Sequence, residues 1–164
     1  MTTVQERAKR IELLIMDCDG VLTDGRLYFD ADGEALKVFH VRDGYGLKLW
    51  HEAGYKSGII SGRKSAIVEN RAHDLGIEFV WLGREEKTTA FHELVASANI
   101  PPEHIAFIAD DSIDLPIFPL VGLSVAVRDA HDSVRDAAHL VTQKNGGRGA
   151  VRELIDLLLD SKKV

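Results

Sequence analysis

Asp17 and Asp19 stand two residues apart directly after the apolar run 11–16, and Gly20 follows them. Carboxylate oxygens hold hard cations such as Mg2+, and an ionised carboxylate beside an electrophile can attack it. The same composition also makes an ordinary acidic turn, so the pair alone leaves both readings open. A second acidic group, Asp110-Asp111-Ser112-Ile113-Asp114, follows the run 105–109. Neighbouring carboxylates repel one another unless a cation or hydrogen-bond donors compensate them. Placing them at the end of a buried strand is costly as decoration; a solvated acidic loop is the alternative. Ser61-Gly62-Arg63 follows the run 56–60 and offers a hydroxyl, backbone N–H groups and a cation. That set suits a phosphate, or only the start of a helix. Lys87 falls in the first turn of a predicted helix, as a site cation or a solvated lysine. Gly146-Gly147-Arg148-Gly149 opens the last predicted helix, as a phosphate-binding turn or a flexible connector.

The elements that must position these residues follow from periodicity. Strand-like runs at 11–16, 56–60, 78–82, 105–109, 123–127 and 139–142 alternate with helix-like runs at 44–53, 64–75, 85–98, 131–138 and 149–159. Such alternation predicts a parallel sheet with helices on both faces and right-handed crossovers. The runs 26–29 and 35–41 flank Asp30-Ala31-Asp32-Gly33 and predict a β-hairpin inserted beside the first acidic loop. Each chemical group comes just after a strand. In an open α/β sheet that is where ligands collect.

Composition narrows the class. The 164 residues, 45% apolar and 28% charged, suit one globular domain over 1–164. The formal net charge of −6 argues against a nucleic-acid partner, though not against an anionic substrate held by local cations. The single cysteine, Cys18, cannot form an internal disulfide and is read as a small packing residue in a reducing compartment. Neither a signal-peptide core in residues 1–10 nor a membrane-length apolar stretch is seen, so a cytoplasmic protein without a membrane partner is expected.

The order Asp-x-Asp, Ser-Gly, Lys, Asp-Asp-x-x-Asp, each at a strand end, resembles the four motifs of the haloacid dehalogenase superfamily over nearly the full length. The resemblance implies an α/β fold, a Rossmann-like doubly wound parallel sheet with a β-hairpin insertion. The gaps between motifs leave no room for a cap domain. It implies Mg2+ held by Asp17, the Asp19 backbone carbonyl and Asp110. Asp17 would be the nucleophile and Asp19 the acid and base. Ser61 and Lys87 would contact the phosphoryl group, and Asp111 and Asp114 would support the metal and Lys87. Capless members need neighbours to close the site, so a homotetramer associated through the hairpins is implied, with Phe29, Leu36, Val38 and Phe39 supplying apolar area.

Longer segments, 41–46, 61–63, 122–127 and 146–153, are similar to one capless subfamily, the 3-deoxy-D-manno-octulosonate 8-phosphate phosphatases of lipopolysaccharide core-sugar synthesis. The implied partner is a small sugar-acid phosphate. By this resemblance His40, Val41, Arg42, Asp43, Gly44, Lys48, Gly62 and Arg63 contact the sugar, with Asp19 and Lys87. Arg63 and Arg71, expected on one helix eight residues apart, could both face one side and receive the substrate carboxylate. Three residues depart from the subfamily pattern: Ala109 for Gly, His40 for Asn and Lys48 for Arg. Ala109 raises the expectation of backbone strain or a shifted metal loop. Competing readings are a phosphatase for a nine-carbon sialic-type acid 9-phosphate, an inactive capless binding or oligomerisation module, and a receiver domain. Arg63 disfavours the first, the complete motif set the second, and Asp-x-Asp with the hairpin the third.

Overall fold

The computed structural model describes residues 2–163; Met1 and Val164, the ends of the expected 1–164 domain, lie outside the described residues. Six parallel strands form one sheet in the order β5-β4-β1-β6-β7-β8: β1 Leu13–Met16, β4 Lys56–Ile60, β5 Phe79–Trp81, β6 Ile105–Ala109, β7 Leu123–Ala126 and β8 Leu140–Val141. The four residues of β1 and all five of β6 are buried, as central parallel strands must be. Strand order reverses at β1: one crossover path leaves it through β4 and β5, the other through β6 and β7. The crevice beyond β1 and β6 is therefore the switch point, and Asp17 and Asp110 are the residues that follow those two strands.

Helices α2 (Val41–Glu52), α3 (Ala66–Leu75), α4 (Lys87–Ala98), α5 (Asp132–Ala137) and α6 (Ala150–Ser161) flank the sheet. Their ends have local causes. Ser65 caps α3, and Gly76 closes it at φ 71, a left-handed conformation that glycine adopts without strain. Glu86 caps α4 through Thr88 and Thr89, and Asn99 ends it at φ 54. The acidic segment after β6 continues as a 3-10 helix, Ser112–Leu120, which contains Pro116 and Pro119. Prolines there forbid the regular α ladder. A short helix, α1 (Val4–Arg10), also precedes the sheet. Thr3 and Glu6 form its capping box, a sequence signal that hydrophobic periodicity passed over.

The hairpin is a separate two-stranded sheet, β2 (Tyr28–Asp30) and β3 (Gly33–Leu36). It is shorter than expected, because His40 begins α2 by accepting from the Arg42 N–H at 3.2 Å, so Val41 is helical. Asn is a preferred cap residue, and the His40 ring supplies the same acceptor. Ala109 brings no strain. It pairs regularly with Ala126, and the one non-glycine described residue with positive φ is Asn99.

Candidate active site

Asp17 ends the β1 ladder with its N–H donating to the Ile108 carbonyl at 3.1 Å. The chain then tightens: the Cys18 carbonyl accepts from Val21, Leu22 and Thr23, and the Thr23 hydroxyl accepts from Gly20 and Gly25. Gly20 has φ +87, and a Cβ there would lie 1.9 Å from Asp110 Oδ2. Only glycine lets the two acidic loops meet. Gly146 and Gly147 close the loop from outside. A Cβ on Gly146 would lie 1.6 Å from the Gly20 carbonyl oxygen, and the Gly147 N–H donates to the Val21 carbonyl at 2.8 Å. The glycine run thus packs against the first acidic loop as a brace, unlike the flexible connector considered from sequence.

Lys87 enters this crevice as the first residue of α4. Its Nζ donates to Asp17 Oδ1 and to Asp114 Oδ1, each at 2.7 Å. Asp17, Lys87 and Asp114 are 6%, 5% and 0% exposed. Burial pulls the Lys87 ammonium pKa down, but the Asp17 and Asp114 carboxylates outweigh it and hold the pKa above its ordinary value. Burial, reinforced by Asp17, pushes Asp110 up to about 8. Burial and Asp17 likewise push Asp114 up to about 7 against the opposing effect of Lys87.

These values describe a site with too much negative charge for one lysine. Asp17, Asp110 and Asp114 each offer an oxygen within 4.8 Å of the others, and Asp114 Oδ2 is buried with no hydrogen-bond partner. An all-carboxylate donor set with an orphaned buried oxygen fits a hard divalent cation. The geometry thereby gives Asp114 a more central place than sequence reasoning did. Asp111, by contrast, turns away and caps the 3-10 segment by accepting from the Ser112 N–H at 2.6 Å.

Asp19 lies outside that carboxylate trio. Its Oδ1 accepts from Lys37 Nζ at 2.5 Å, and Arg63 Nε is 3.9 Å from its Oδ2. Lys37 directly follows β3, and a lysine amid alternating apolar residues gives no signal in the sequence of its destination. Ser61 is buried after β4, and Gly62 and Arg63 follow it. Arg63 does not share a helix with Arg71. Ser65 accepts from the Val68 N–H and starts α3 only at Ala66, leaving Arg63 in the turn before it. The Arg63 guanidinium lies 5.4 Å from the centre of the Phe29 ring. Arg71 is inside α3, over the Phe39 ring, and its Nε is a buried donor without a partner. It lines a small cleft with His40, Asp43 and Gly44. Phe39 packs half-buried against the core, in contrast to the exposed contact residue expected. Val41, Arg42 and Lys48 are exposed on α2.

Asp43 is committed elsewhere. Its carboxylate accepts from the Gly149 and Arg152 N–H groups at 3.3 and 2.9 Å, capping α6 from another helix. Cys18 is fully buried, and burial pushes its thiol pKa up, so it offers no thiolate.

Residues 83–155, which carry Lys87, Asp110 and Asp114, match the model of the haloacid dehalogenase-like hydrolases. A 3-deoxy-D-manno-octulosonate 8-phosphate phosphatase of Yersinia pestis is 49% identical over 156 residues, spanning 95% of this chain and 83% of that protein. The cobalt-bound form of the corresponding Haemophilus influenzae phosphatase superposes with a TM-score of 0.94 at 45% identity, covering 96% of this chain and 92% of that one. The Moraxella catarrhalis enzyme, in complex with magnesium, phosphate and KDO, superposes with a TM-score of 0.93 at 37% identity, covering 97% and 91%. The chain belongs to the haloacid dehalogenase-like hydrolases and, within them, to the family of these sugar-acid phosphatases.

Proposed function

We propose that this chain is a Mg2+-dependent phosphomonoesterase that removes the phosphate of 3-deoxy-D-manno-octulosonate 8-phosphate in lipopolysaccharide core-sugar synthesis. The observation that carries this reading is the buried Asp17–Lys87–Asp114 bridge, with Asp110 beside it, at the switch point of a chain 49% identical to such a phosphatase. In this reading an Asp17 oxygen bonds to phosphorus as the bond from phosphorus to the sugar oxygen breaks. Asp19 gives that departing oxygen its proton, then takes one from a water that attacks the aspartyl-phosphate. Phosphate leaves, and the Asp17 carboxylate is restored. Lys87 and the Ser61 hydroxyl stabilise the phosphoryl oxygens. Asp17, Asp110 and the Asp19 backbone carbonyl, with Asp114 alongside, hold the cation, which supplies the positive charge that lets a carboxylate approach a phosphate.

Arg63 and Arg71 receive the sugar carboxylate, and Gly62, Lys48, His40, Val41, Arg42 and Gly44 line the sugar, while Asp43 supports that segment from its place on the start of α6. The single domain spans 1–164 and works in the cytoplasm. Leu27, Phe29, Leu36 and Val38 on the hairpin and Val41 and Tyr45 on α2 are 45–76% exposed, an apolar surface that supports assembly as a homotetramer. Among the described residues no helix is long and apolar enough to cross a membrane.

Phosphate release with Mg2+ from the eight-carbon acid 8-phosphate, nine-carbon acid 9-phosphates and hexose phosphates tests the substrate. A strong preference for the eight-carbon acid is expected. Equal or better turnover of the nine-carbon esters would discard the substrate and keep the chemistry.

A further inference from the structure

Lys37 is the anomaly of the hairpin. Its neighbours Leu36 and Val38 are 45% and 55% exposed, yet its own side chain is only 2% exposed. A hairpin that turns apolar residues outward and a lysine inward reverses the usual preference, since lysine is seldom buried unless paired. The pairing leads to the site. Lys37 Nζ donates to Asp19 Oδ1 at 2.5 Å and lies 2.9 Å from Glu34 Oε1. The other Glu34 oxygen accepts from the Ser65 hydroxyl at 2.5 Å, and Ser65 caps α3. An unbroken chain of polar contacts therefore runs from the start of α3 through the hairpin to Asp19.

We infer that Lys37 is a positioning residue for Asp19, fixing its carboxylate through Oδ1 and leaving Oδ2 as the oxygen that transfers the proton. An aspartate turns about two side-chain bonds, and a proton carrier must meet its partner at hydrogen-bond distance. One oxygen anchored by a buried donor removes that freedom. Glu34 offsets the Lys37 charge, so Lys37 acts on Asp19 as a hydrogen-bond donor more than as a net cation. Arg63, 3.9 Å from Oδ2, leaves that oxygen without a short contact. The inference rests on the acid role proposed above for Asp19.

The test compares two esters without a sugar, p-nitrophenyl phosphate and phenyl phosphate. The first leaving group departs without a proton, while the more basic phenolate gains from one. In Lys37→Met, kcat/KM for phenyl phosphate should fall roughly tenfold further than for p-nitrophenyl phosphate, a part of the usual general-acid contribution. Glu34→Gln, which loosens Lys37 without removing it, should show the same selectivity to a smaller degree. It decides the matter if Lys37→Met does not fold. Equal losses on both esters, or none, would overturn the inference. Asp19→Asn separates the two levels: if it too affects both esters equally, the acid role itself fails. If it is selective while the Lys37 and Glu34 variants are not, only the Lys37 inference fails.

Discussion

The switch-point cluster and the hairpin sit side by side and are built on opposite terms. Asp17, Lys87 and Asp114 are almost wholly buried, and the strands and helix that carry them are core elements. The hairpin has two short strands paired only to each other, and most of its large apolar side chains face outward. Two strands alone are at best marginally stable in water. What ties this hairpin down is polar: Lys37 on Asp19, Glu34 on Ser65, and the Phe29 ring beneath Arg63. Reactive groups are thus held by the core, while the surface around them comes from an element with little core of its own. The buried cluster and the exposed hairpin face can accordingly be perturbed separately.

The largest effect should come from the buried cluster. Asp17→Asn should lower phosphate release by more than about a thousandfold, the scale of losing a nucleophile, while Mg2+ binding stays measurable by calorimetry. A near-normal rate in a pure sample would remove Asp17 from its role.

Lys87→Met should cost about 3 kcal/mol in metal-free urea unfolding, because two buried carboxylates lose their shared counter-charge. Added Mg2+ should recover part of that loss. An unchanged unfolding midpoint would mean that the cluster is less dependent on Lys87 than its burial implies.

The same charge excess gives a pH dependence. Asp110 and Asp114 have folded-state pKa values of about 8 and about 7, above those of an unfolded carboxylate. Their contribution to metal-free stability is fully present below the ordinary carboxylate range and is lost as pH rises through those values. Mg2+ binds the ionised oxygens, so the melting-temperature gain on adding it should be larger at pH 8 than at pH 5. Saturating metal stabilises by about 2.7 kcal/mol at a hundredfold excess over Kd. A gain independent of pH would place the cation away from these carboxylates.

The smallest change in fold stability belongs to the exposed hairpin face. Val38→Asp should alter monomer unfolding by no more than about 0.5 kcal/mol, as surface substitutions do. Light scattering should nonetheless show a smaller particle. An unchanged assembly would remove this face from the homotetramer contact proposed above.

Much of this was legible in the residue string. Alternating periods of two and 3.6 specify strand, helix and their order, because burial on a sheet face or a helix stripe leaves that imprint. Asp17, Asp19, Ser61, Lys87 and Asp110 could be picked out because each follows a strand, and parallel strands present their ends together. Boundaries set by capping were less visible: Ser65 excludes Arg63 from α3, and His40 draws Val41 into α2.

Other features existed only once the chain had folded. Asp43 caps a helix that begins more than a hundred residues later, Gly146 fits against Gly20, and Lys37 turns inward to Asp19. Sequence by itself determined the architecture and the kind of chemistry, since both rest on local patterns and strand-end placement. Tertiary structure alone decided which carboxylates share one cluster and which lysine holds Asp19. Those are contacts between distant segments, set by packing and close approach, and no local pattern encodes them.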